Sequence, residues 1–191
     1  MKDNESHQHI SKEMVDYAYA AMEKIEPCEQ LRNKNILLYG GEPLLAENRK
    51  IIEYILYEDK KRGYKFKVIT NGYDLDSFID LLSPKLINDI QITIDGTKDY
   101  HNKRRVHYKE LPTFDKIIAN IRLALATNIK ISVRVNNDNK NLDDFLSLKE
   151  YFKQCVFFNF SSFNVYSSLL WNSTSISDKV SKIFFLSSLY S

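Results

Sequence analysis

The 191-residue chain has a mass of 22.4 kDa, enough for one sizeable core and marginal for two. Hydrophobic residues at 43% and charged residues at 27% exclude a disordered tail or a collagen-like fibre, and a formal net charge of +2 supplies no overall basic field for nucleic acid. The polar start Met1-Lys2-Asp3-Asn4-Glu5, the lack of a long apolar run, and two cysteines (Cys28, Cys155) at no metal or redox spacing point to a cytoplasmic chain without a membrane span.

In chain order, Met14, Ala18, Ala21, Met22 and Ile25 recur at helical spacing after Ser11, a plausible N-cap. The run Ile36-Leu37-Leu38-Tyr39 reads as a strand that stops at Gly40-Gly41. Ile51, Ile52, Ile55 and Leu56 mark a helix closing near Gly63, and residues 66–70 form a strand ending at Asn71-Gly72. A short helix is expected over residues 75–82, before Pro84, and a strand over residues 90–94. Phe114, Ile117, Ile118, Ile121 and Leu125 stripe a further helix, residues 129–135 a strand, and Phe145, Leu148 and Phe152 another helix. Residues 156–160 are expected to be the last strand. One helix between successive strands is βα arithmetic, and a closed eight-stranded barrel needs about 250 residues, so an incomplete barrel or an open parallel sheet is expected. The predicted domain covers residues 1–160. From Ser161 to Ser191 the chain is dense in Ser, Phe, Leu and Tyr. Two readings stand for this tail: an amphipathic helix over residues 176–190, or a segment out of register after a frameshift or gene truncation.

Two strands carry polar side chains on alternate positions. Gln91, Thr93 and Asp95 alternate with Ile90, Ile92 and Ile94, and Lys130, Ser132, Arg134 and Asn136 with Ile129, Ile131, Val133 and Val135. Parallel strands covered on both faces read as continuous apolar runs, so a polar row implies a polar ligand or an antiparallel sheet with one wet face. The βα spacing favours the ligand. Gly40-Gly41-Glu42-Pro43, Thr70-Asn71-Gly72 and Asp95-Gly96 all follow strands, on the rim where parallel α/β folds bind ligands. The basic run His101-Asn102-Lys103-Arg104-Arg105 reads either as a solvated loop or as a grip on a carboxylate through Arg105. Lys60-Lys61-Arg62 is explained by a helix C-terminus, and His7 and His9 lack the neighbours of a metal site. Neither basic run is interleaved with aromatics, so no nucleic-acid partner is expected.

Together these stretches resemble the middle of a radical S-adenosylmethionine (radical SAM) enzyme, in the branch of anaerobic sulfatase-maturating and peptide-modifying enzymes. The matching residues are Leu38-Tyr39-Gly40-Gly41-Glu42-Pro43-Leu44-Leu45, Ile69-Thr70-Asn71-Gly72, Ile92-Thr93-Ile94-Asp95-Gly96 followed by His101 to Arg105, and Val133-Arg134-Val135-Asn136. The resemblance spans roughly residues 5–160 and implies a partial parallel (β/α)6 TIM barrel, here lacking its first strand, with SAM in its open top. It implies that Gly40, Gly41 and Glu42 meet the methionine amine and that Thr93 and Arg105 bind its carboxylate. Asn71 and Asn136 would line the cavity nearby. The family's CxxxCxxC loop, which holds a 4Fe–4S cluster through three thiolates, has no counterpart in the sequence. The expectation is therefore a truncated radical SAM domain, inactive alone, from an enzyme that modifies a peptide or protein. The alternative is a non-enzymatic peptide- or protein-binding module on a degenerate barrel.

Overall fold

In the computed structural model, which describes residues 10–107, 110–137, 141–155 and 157–169, five parallel strands lie side by side in chain order. They are β1 (Asn35–Leu38), β2 (Lys65–Thr70), β3 (Ile87–Thr93), β4 (Ile131–Asn137) and β5 (Phe163–Leu169). All four neighbouring pairs are parallel, which removes the antiparallel reading of the alternating rows. Strands that never reverse their order, crossed over by helices, wind as an arc of a barrel rather than as a doubly wound sheet.

Helix α1 (Lys12–Ile25) starts at Ser11, whose hydroxyl accepts from the Met14 N–H at 3.3 Å. Its buried face is Val15 and Tyr19, whereas Met14 and Ile25 are exposed. Both sets fit the helical period; the choice falls to the side whose Tyr19 hydroxyl finds the buried Asp59. Helix α2 (Arg49–Arg62) ends at Gly63, whose φ of 69° is the left-handed cap that closes a helix at least cost. The short helix expected over residues 75–82 is present as a 3-10 helix over Leu75–Leu81. Its buried side chains, Leu75 and Phe78, are three apart, the period that a 3-10 turn brings onto one face.

The segment at Lys98–Arg104 is helical (α3), which settles the basic run as a short helix leading to Arg105. Helices α4 (Phe114–Leu125) and α5 (Leu142–Gln154) bury the expected stripes, including Ile117, Ile121, Leu148 and Phe152. The last strand is β5, beyond the expected 156–160; residues Phe157–Asn159 form a 3-10 turn. Phe157, Phe163 and Phe152 meet at 5.2 to 5.4 Å between ring centroids, so the aromatics of this region knit α5 to β5. Residues 170–191, with the helix expected over 176–190, and His7 and His9 lie outside the described residues.

The core lies between sheet and helices. Phe66, Ile90, Ile92, Ile131 and Val133 are fully buried there. Opposite them, Gln91, Thr93, Ser132, Arg134, Asn136, Tyr166 and Ser168 share the inner face by strand register. No described helix is long and apolar enough to cross a membrane.

Candidate functional site

The rim of the sheet gathers the residues that the sequence scatters. A cleft of about 230 Å³ is lined by Gly41, Glu42, Asn71, Thr93 and Arg105, together with Tyr39, Ile69 and Thr70. Gly40 precedes it in the turn after β1, and Gly40 and Gly41 hold φ of 102° and 55°. A Cβ added at either would meet nothing within 4 Å, so what demands glycine here is the backbone conformation, and the space beside it is open to a ligand.

Glu42 is locked in place. Its Oε1 accepts from the Thr70 hydroxyl at 2.5 Å and the Leu44 N–H at 3.0 Å, and its Oε2 accepts from the Asn71 N–H at 2.6 Å. A carboxylate has about four lone-pair sites, so one on Oε2 is left for a donor from the cleft. Burial pushes the carboxyl up from its ordinary value, opposed by these three hydrogen bonds. A cation arriving in the cleft favours the ionised form.

Across the cleft, Arg105 donates from Nε to Asp95 Oδ2 at 2.7 Å. Asp95, buried just after β3, also accepts from Asn136 Nδ2 at 3.1 Å on Oδ1. Asn136 thus joins the site through Asp95 and does not line the cleft itself. The two Nη atoms of Arg105 have no acceptor among the described residues and remain available to an anion.

Beneath Arg105 runs a second chain of hydrogen bonds. The Asp95 N–H donates to His101 Nδ1 at 3.2 Å, so Nδ1 is the acceptor and the proton sits on Nε2. That Nε2–H donates to Thr113 Oγ1 at 3.0 Å, and the Thr113 hydroxyl donates to the Arg105 carbonyl at 3.1 Å. Every donor and acceptor is thereby assigned. Burial, with the nearby Arg105 charge, pushes the His101 imidazole down to about 4, so it is neutral at physiological pH.

Of the seven residues singled out from the sequence, five line one cleft and the other two, Gly40 and Asn136, adjoin it. Thr70, Tyr39 and Ile69 were missed as lining residues, and His101 and Thr113 as supports. Thr70 stood in a strand-end motif already visible in the sequence; Thr113 carried no local signal. The two cysteines do not enter: Cys28 is exposed before β1 and Cys155 lies at the end of α5. No group of three metal-ligating side chains occurs among the described residues.

The chain is 32% identical over 118 residues to an S-adenosylmethionine-dependent nucleotide dehydratase of Psychrobacter lutiphocae, covering 57% of this chain and 39% of that protein. The fold superposes on native anSMEcpe with bound AdoMet, an anaerobic sulfatase-maturating enzyme, with a TM-score of 0.65 at 19% identity, covering 87% of this chain and 45% of that one. It also superposes on Streptococcus suis SuiB bound to the precursor peptide SuiA, with a TM-score of 0.56 at 12% identity, covering 87% and 35%. The chain thus spans less than half the length of each of these relatives. The description of the Radical SAM superfamily matches residues 13–152, most of the chain, and the chain belongs to that superfamily.

Proposed function

We propose that this chain carries the SAM site of an enzyme that modifies a peptide or protein, and that its 191 residues do not perform that chemistry alone. The observation that carries the reading is the opposed charge in one cleft: the Glu42 carboxylate on one wall and the Arg105 guanidinium on the other. A zwitterionic amino-acid group fits between them. Its ammonium would donate to the remaining lone pair of Glu42 and to carbonyls of the Gly40-Gly41 turn. Its carboxylate would take the free Nη edge of Arg105 and the Thr93 hydroxyl, while Asn71 lines the surrounding polar wall and Asn136 holds Asp95 behind Arg105. Bound SAM supplies the radical chemistry of the family; the chain's own part is to bind and orient it.

The 4Fe–4S cluster fits less well. A cluster of this kind is held by thiolates set close together, and the sequence contains two cysteines, one before the sheet's first strand and one after α5. No step through a cluster is derived for these residues.

Two observations bear on the second reactant. SuiB and anSMEcpe are both known with bound peptides, whereas the curated relative is named for a nucleotide. A nucleotide's phosphates call for several cations, whereas on the inner face Lys67 is already paired with Asp89 at 3.3 Å and, among the described residues, Arg134 stands there without a carboxylate partner as a single charge. That balance favours a peptide.

The test is titration of the chain with SAM, followed by NMR at the Gly41 and Asn71 amides. Weak binding at those amides is expected, and Glu42→Gln and Arg105→Gln should each weaken it by at least about tenfold, or 1.4 kcal/mol. Identical binding by both variants, or no response at those amides, would overturn the assignment. After reconstitution with iron and sulfide, no 5′-deoxyadenosine is expected; its formation would overturn the claim of incompetence.

A further inference from the structure

Beside the cleft, the inner face of the sheet holds a second group of polar side chains that the SAM reading does not use. Arg134 on β4 stands in register with Thr93 on β3 and Tyr166 on β5. Its guanidinium makes one hydrogen bond among the described residues, from Nη2 to Ser168 Oγ at 3.0 Å. Its Nε is buried without an acceptor. Gln91, one step lower on β3 and 5% exposed, accepts from the Tyr166 hydroxyl at 2.6 Å, yet its Nε2 is also buried without an acceptor.

Buried N–H donors almost always find partners, so two orphans on adjacent strands of one face mark a place where an acceptor is missing. The acids of this face are already committed. Asp89 accepts from Ser132 at 2.7 Å and pairs with Lys67, and Asp95 is held by Arg105 and Asn136. The Arg134 charge has no carboxylate partner among the described residues.

We propose that Arg134, Gln91 and Ser168 form a subsite for a carboxylate side chain, Asp or Glu, of the substrate peptide. The planar guanidinium fork matches a carboxylate edge to edge, and the amide and hydroxyl add neutral donors around it. One uncompensated positive charge balances a monoanion. A phosphate dianion would leave excess negative charge beside Asp89 and Asp95. SAM's own carboxylate is assigned to Arg105 and Thr93, so the subsite serves the second reactant. The proposal rests on the peptide reading above.

The experiment follows the Arg134 Nε–H resonance of the full chain, assigned by its loss in Arg134→Lys. The probes are N-acetylglutamate N′-methylamide, its glutamine counterpart, inorganic phosphate and SAM. The glutamate compound is expected to shift Arg134 to saturation, with the glutamine compound at least about tenfold weaker. The selectivity should vanish in Arg134→Gln, and the comparison of the two compounds on the unmodified chain stands even if that variant misfolds. Equal responses to both compounds, stronger binding of phosphate, or a response to SAM alone would overturn the subsite. SAM binding is read separately at Gly41. Loss of that signal with glutamate selectivity intact would remove the SAM reading and leave the subsite. Binding of both compounds without selectivity would remove the subsite and leave a peptide reading.

Discussion

His101 is a residue whose role depends on staying uncharged. Its folded value of about 4 lies below the ordinary 6.5, so the unfolded chain binds the proton more tightly. The stabilisation is then complete above pH 6.5 and is lost as pH falls through 4. Asp59 works in the opposite direction. Burial raises its carboxyl to about 6 from 3.8, despite the hydrogen bond from Tyr19, so its contribution is complete below 3.8 and is lost as pH rises through 6. The two trends offset each other, and the unmodified chain should show a shallow profile in this window. A variant isolates one of them. In urea denaturation, the advantage of the unmodified chain over His101→Gln should grow by roughly 2–3 kcal/mol between pH 4.5 and 7. An advantage that stays constant across that range would show that the imidazole does not need to be neutral. The position of Arg105 is tied to the same chain of bonds through Thr113, so this residue-scale chemistry bears directly on the cleft.

At the scale of elements, the loop after β3 is clamped to α5. Asp144 accepts from the Thr97 N–H at 2.7 Å and the Thr97 hydroxyl at 2.5 Å, which fixes the start of α3. Gly96 lies under that clamp with φ of 142°, and an added Cβ would come within 2.0 Å of Asp144 Oδ2. Gly63, at the end of α2, also has positive φ but has open space around it. Gly63→Ala should therefore cost about 1 kcal/mol from backbone strain alone. Gly96→Ala should cost more than about 2 kcal/mol, because the clash and a broken clamp add to that strain. Urea midpoints at constant slope measure both. Equal costs at the two sites would mean that Asp144 moves aside freely and does not hold the loop. The elements were largely legible in the sequence because their apolar periods are strong. The exceptions have physical causes: two competing stripes on α1, and aromatics at 157–160 that pack as a turn before β5.

For the whole molecule, the described sheet ends at β1, an edge strand. Among the described residues β1 has one neighbouring strand, β2, and its Leu37 is 53% exposed, with Tyr39 beside it at 73%. An apolar strand edge of this kind templates pairing with other chains. Self-association rising with concentration is expected in sedimentation velocity, and Leu37→Lys should shift it toward monomer. A chain that stays monomeric at high concentration with Leu37 intact would refute this. The same sheet geometry explains which parts of the site were readable. Gly40, Gly41, Glu42, Asn71, Thr93 and Arg105 announce themselves as residues at strand ends or in the basic run, because parallel strands deliver their C-terminal ends to one rim. The alternation of β3 and β4 announces the polar inner row.

By itself, the sequence determined the alternation of helix and strand, the glycine turn before Glu42, the polar row opposite the apolar one, and the membership that the motifs carry. These follow from local periods and local backbone demands. Only the tertiary structure decided that Thr113 supports Arg105, that Asn136 reaches the cleft through Asp95, and that Arg134 and Gln91 share a face with Tyr166. Each of those pairings joins residues distant in the chain. Their meeting is set by strand register and by which donors and acceptors burial leaves without water, and neither is written in any single stretch of residues.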